Sequence, residues 1–173
     1  MRLFINECEP LCEMSKLTKK YASAECGDFG EFIYFSPKIC PHDPRVKFYG
    51  GTKETSNTRN APTMKFDNEG NTELADLGNL NKKNCPNAFD SKYLKKVSDF
   101  IKKMLPILLL VWYDKMDEAD ALAYFHGNLS LPDLIDSIDI EDSNILNQLK
   151  ESKNIYALHR NCKQLGLYTE EEL

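Results

Sequence analysis

The spacing of apolar residues changes character about halfway along the chain. Before residue 86 they come in short alternating or aromatic-rich runs punctuated by Gly and Pro, the pattern of strands and turns. Phe32, Ile33, Tyr34 and Phe35 make one such run. Arg45 to Tyr49 alternates polar with apolar side chains, as a half-buried strand does, and stops at Gly50 and Gly51. Thr63 to Phe66 alternates again, and Asp67-Asn68-Glu69-Gly70 then has the composition of a tight turn before Thr72 to Leu74, so a hairpin is predicted here. Leu3 to Ile5 reads as a further short strand, and Leu11, Met14, Leu17 and Tyr21 are spaced for one early helix over 8–21. Thr52 to Asn60 is polar throughout, as an exposed loop is.

After residue 86 the period lengthens to that of a helix. Tyr93, Leu94, Val97, Phe100, Ile101, Met104, Leu105, Leu108, Leu109 and Trp112 recur at helical spacing over a long helix, 91–113, with Lys92, Lys95, Lys96, Asp99, Lys102 and Lys103 on the opposite face. Asp90 or Ser91 can cap it. Pro106 inside the pattern predicts a kink or a break, because it removes one N–H and crowds the carbonyl four residues earlier. Asp117 to His126 reads as a second helix stopped by Gly127. Ser130 to Asp133 reads as a capping box starting a third, Asp142 or Ser143 opens a stretch broken near Ser152, and Ile155, Leu158, Cys162 and Leu165 stripe a last helix ended by Gly166. The fold predicted is α+β. A small, mainly antiparallel sheet in the N-terminal half packs on the long helix, and a helical C-terminal layer follows. One compact domain, 1–173, is expected, with 1–86 mainly strands plus one early helix and 87–173 helical.

Composition agrees with a folded globular chain: 42% of residues are hydrophobic and 28% charged. The longest apolar run, Met104 to Tyr113, is far below the roughly 18 residues that span a bilayer. Glu7, Cys8 and Glu9 leave no apolar stretch for a secretory signal, so the expected compartment is the cytosol, with no membrane partner. In that compartment Cys8, Cys12, Cys26, Cys40, Cys85 and Cys162 are expected as reduced thiols rather than a disulfide framework.

Charge is distributed unevenly. The total is −5, yet residues 1–86 carry 12 basic and 12 acidic side chains, so the excess lies wholly in the second half. Residues 82–103 hold seven lysines against Asp90 and Asp99, whereas 114–142 holds nine carboxylates against Lys115 alone. A net acidic chain argues against nucleic acid as a partner, because that affinity comes from Lys and Arg neutralising phosphates. A concentrated acidic segment instead steers a basic protein surface into contact. The residues expected to bind such a partner are Asp114, Asp117, Glu118, Asp120, Asp133 and Asp136.

Catalytic signatures are absent: the chain has no nucleophile elbow, no phosphate-binding loop and no dinucleotide fingerprint. No cofactor is called for. Cys8, Cys12, Cys40 and His42 offer metal-ligand chemistry, but without the paired knuckles of structural zinc sites they read first as thiols. His126 before Gly127 suits a helix C-terminus, and His159 with Cys162 sits one turn apart on the last helix with no third group to orient it. His42 lies in a loop between strands, where functional groups collect.

Residues 40–115 resemble a small bacterial domain of unknown function often encoded beside toxin–antitoxin modules. The matching residues are Pro41-His42-Asp43-Pro44-Arg45-Val46-Lys47, the strand Met64-Lys65-Phe66, and Leu108-Leu109-Leu110-Val111-Trp112. Only one histidine of that family's histidine-rich segment is present. The resemblance implies a mobile-element or stress-module setting. With the charge pattern, it leads to the expectation of a non-enzymatic regulator or inhibitor from a bacterial or phage accessory system, acting by protein–protein interaction. The alternative is a metal-dependent hydrolase or nuclease, toxin-like, that uses His42.

Overall fold

The computed structural model describes residues 33–35, 44–48, 62–75, 77–125 and 127–169. The strand expected at 3–5, the helix at 8–21, the loop at 52–60, and His42 and His126 lie outside the described residues. The chain clusters into two compact units that divide between Lys102 and Lys103, and each is described by itself.

The first unit contains a four-stranded antiparallel sheet of β1 (Ile33–Phe35), β2 (Arg45–Phe48), β3 (Thr63–Phe66) and β4 (Thr72–Leu74), in that spatial order. Register pairs Val46 with Met64 and Met64 with Leu74, so strand alternation places Val46, Phe48, Met64 and Phe66 on one face, where all four are buried. Pro44 and Pro62 have no N–H to donate, but their carbonyls extend the β2–β3 ladder by accepting from Phe66 N at 2.9 Å and Phe48 N at 3.0 Å. Lys47, on the other face, is also buried, more than a half-buried strand requires. β2 is an inner strand flanked by β1 and β3, and inner positions expose less than edges do.

The β3–β4 hairpin forms as the sequence predicts, and Asp67 organises its turn. The Asp67 carboxylate accepts from Glu69 N, Asn71 N and Asn71 Nδ2, each at 2.9 Å, while Gly70 N donates to the Asp67 carbonyl at 3.1 Å. The Asn71 side-chain amide, followed by these backbone donors, holds the Asp67 carboxyl below the ordinary aspartate value of 3.8.

After a 3₁₀ turn at Pro86–Phe89, α1 (Ser91–Lys103) packs on this sheet. Asp90 is its cap: Oδ1 accepts from Lys92 N at 2.9 Å. The buried stripe of α1 is Tyr93, Val97, Phe100 and Ile101. Tyr93 meets Phe48 with ring centroids 5.7 Å apart, and Ser98 Oγ lies 2.7 Å from Thr72 Oγ1 of β4. The long helix read over 91–113 is broken, as Pro106 demands. The ladder stops at Lys103, Met104 leaves helical geometry at φ −104° and ψ 14°, and Ile107 N and Leu108 N restart it on the Met104 carbonyl. Pro106 therefore sits in the first turn of α2 (Leu105–Trp112), where its missing N–H has no intrahelical partner to lose.

The second unit is helical. Every residue of α2 is buried, including Ile107, Leu110 and Val111 on the side that a single stripe leaves outside. Against it pack α3 (Glu118–Phe125) and α6 (Ile155–Gln164). α4 (Leu131–Asp136) packs on α3 and on α5 (Ser143–Lys150), which also touches α6. Short polar side chains start these helices. Ser130 Oγ accepts from Asp133 N at 3.2 Å, Asp142 Oδ1 from Asn144 N at 2.9 Å and Asn154 Oδ1 from Ala157 N at 2.9 Å. Glycine ends two of them. Gly127 N donates to Tyr124 O with Asn128 N to Ala123 O, and Gly166 N to Lys163 O with Leu167 N to Cys162 O, the paired bonds of a Schellman motif.

Asp67→Ala is expected to lower stability at pH 7 by about 1 kcal/mol, a modest figure because the exposed turn is screened by water. A folded-state pKa held below 3.8 stabilises fully above that pH, and the benefit disappears as pH falls through the lowered value. Urea melts of wild type and variant should therefore differ at pH 7 and converge under strong acid.

Candidate functional site

All six carboxylates expected to bind a partner lie in the helical unit, gathered at helix ends. Asp114 follows α2 in the left-handed conformation, φ 62°, exposed to solvent. Asp114 N donates to Val111 O at 3.1 Å and Lys115 N to Leu110 O at 2.8 Å, so a Schellman motif closes α2 with aspartate in the place glycine usually takes. Asp117 Oδ1 accepts from Ala119 N at 2.7 Å and caps α3. Glu118 and Asp120 stand half-buried in the first turn of that helix, where negative charge meets the positive end of the helix dipole. Asp133 is exposed in the first turn of α4, and Asp136 at its end pairs with Lys150 at 3.1 Å. Asp117 thus caps a helix and Asp136 holds an ion pair, while Glu118, Asp120 and Asp133 stand in the first turns of two helices that pack together.

Lys115, the one lysine of the acidic segment, is turned inward. Its side chain is 9% exposed, and Nζ donates to the Thr169 carbonyl at 3.3 Å beside the end of α6. Its own carbonyl accepts from Asp139 N at 2.7 Å. Lys115 ties the C-terminal segment to the end of α2, and its ammonium is withdrawn from solvent. Position 115 gives no sign of this in the sequence, because burial of a lysine depends on which chain ends meet around it.

The opposite charge stands on α1. Lys92, Lys95, Lys96, Lys102 and Lys103 are all exposed on the face away from its buried stripe, and Lys95 Nζ reaches Asp99 at 2.6 Å.

His159 and Cys162, one turn apart on α6, are brought together by Tyr168. Its Oη lies 2.9 Å from His159 Nδ1, its ring stacks on the imidazole at 5.5 Å, and Tyr113 stacks on it at 6.4 Å. Tyr168 also hydrogen-bonds the Cys162 thiol, but burial dominates and pushes that thiol up to about 12, while burial and Cys162 together raise the tyrosine. A thiol that stays protonated at neutral pH is not a nucleophile, and the trio serves to clamp the C-terminal segment onto α6. Sequence spacing finds the first two members. Tyr168 joins them only because the chain folds back after Gly166.

Among the described residues, no three His, Cys, Asp or Glu side chains converge as a metal site requires. Cys85 and Cys162 are buried free thiols, whereas Cys8, Cys12, Cys26, Cys40 and His42 lie outside the described residues. No helix among the described residues is long and apolar enough to cross a membrane. Comparison with protein-family models, with curated proteins and with solved structures finds no match to this chain.

Asp114→Gly should raise stability by about 1 kcal/mol, since glycine enters the left-handed region without steric cost and removes a negative charge from a helix C-terminus. A decrease in thermal midpoint instead would show that the aspartate side chain holds the turn. Cys162 should resist iodoacetamide at pH 8 in the folded protein and react in urea, as read by peptide mapping. Tyr168→Phe, which removes the hydroxyl that lowers the thiol and keeps the ring that buries it, should leave Cys162 at least as resistant and cost about 1 kcal/mol.

Proposed function

We propose that this protein is a non-enzymatic, cytosolic regulatory protein of a bacterial or phage accessory system, and that it acts by binding another protein through the acidic surface of residues 114–142. One observation carries the reading: nine carboxylates share that segment with a single lysine, and the lysine is buried. Carboxylates outnumber the segment's lysine nine to one, and an acidic field of this kind attracts a basic partner and raises its encounter rate. Of the six residues expected to bind, Asp120 and Asp133 stand in the first turns of α3 and α4 and cap neither helix. The accessory-system setting rests on the resemblance of residues 40–115 to a domain found beside toxin–antitoxin modules, and regulation by inhibition fits a small chain with no catalytic signature.

The test is a charge reversal that spares the helix caps. Tagged wild type and the Asp120→Lys/Asp133→Lys variant are compared for the proteins they retain from a bacterial host at moderate salt. The expected result is one stoichiometric basic partner that wild type retains, that high salt releases and that the variant loses, with the circular-dichroism spectrum unchanged. Equal retention by the variant would exclude the acidic surface as the interface.

A further inference from the structure

The chain carries its two charge fields in separate blocks. On α1, lysines at 92, 95, 96, 102 and 103 run along the solvent face with only Asp99 among them. At the helical rise this stripe is about 16 Å long. Phe89, nearly half exposed, lies just ahead of its first lysine and supplies an aromatic contact of the kind enriched at protein interfaces. One exposed ion pair, such as Lys95 with Asp99, contributes little, so a partner for this face must bring several anions at once. The 114–142 segment of another copy is complementary in charge, with nine carboxylates against one buried lysine.

We propose that the lysine face of α1 is a docking surface for a second copy of this chain, which presents its acidic 114–142 segment to it. The inference rests on the reading of that segment as a binding surface and names one partner for it. Association is electrostatic and reversible, strongest at low ionic strength and weakened as the screening length shortens. A protein regulated this way hides its acidic surface in a self-complex and exposes it when salt or a more basic competitor intervenes.

Sedimentation velocity over a concentration series tests this with the full chain. Wild type should shift from monomer toward dimer with increasing concentration at low salt and return to monomer at high salt. Lys92→Glu/Lys102→Glu takes the helix from a net +4 to zero, and should weaken self-association at least about tenfold. Asp120→Lys/Asp133→Lys should do the same. An equimolar mixture of the two variants should recover a complex, because each retains the surface that the other lacks. Unchanged circular dichroism guards against misfolding. A wild type that stays monomeric at low salt, or a dimer indifferent to Lys92 and Lys102, overturns the proposal. If that monomer still captures a different basic protein through Asp120 and Asp133, the acidic surface stands and only self-docking fails.

Discussion

A helix with no polar side cannot end its packing at one neighbour, and α2 is such a helix. All eight of its residues are buried, so the chain that follows must return to cover it. α3 and α6 do so, and α4 and α5 bridge between them. The break at Met104 is part of the same constraint. A helix running unbroken from Ser91 would carry the amphipathic surface of α1, with its row of lysines, straight into the apolar stretch. Pro106 forbids that continuation and allows the backbone to restart with a different demand for burial.

Helix ends supply the second constraint, and the acidic composition is partly explained by them. Several short helices need several N-caps, and aspartate serves at Asp90, Asp117 and Asp142, as serine does at Ser130 and asparagine at Asn154. A carboxylate at such a position is half committed to backbone N–H groups before any partner arrives. Charge count alone therefore does not give the number of carboxylates that the fold leaves uncommitted. Asp117 caps α3, Asp136 pairs with Lys150, and the first turns of α3 and α4 hold Glu118, Asp120 and Asp133. The inward turn of Lys115 withdraws the segment's one lysine from solvent.

The candidate surface was legible in sequence as a charge block, and its helices were legible from their caps, because both are local properties. Gly127 and Gly166 as helix ends, Pro106 as a break and the Asp67 turn follow from backbone preferences that act within a few residues. Less legible were features made by distant chain. The stripe read through Trp112 undercounts what is buried, since Ile107, Leu110 and Val111 are enclosed too. The His159–Tyr168–Cys162 trio and the burial of Lys115 both depend on the segment after Gly166 folding back.

The sequence by itself determined the α+β class, the hairpin, the order of helices and the opposite signs of the two charged blocks. Each of these follows from periodicity, capping and side-chain chemistry over short distances. Only tertiary structure decided which carboxylates are taken up by helix caps and an ion pair, that the single lysine among them is buried, and that Cys162 is enclosed beside Tyr168. Burial and hydrogen bonding between residues far apart in the chain set those outcomes, and no local pattern encodes how far a side chain ends up from water.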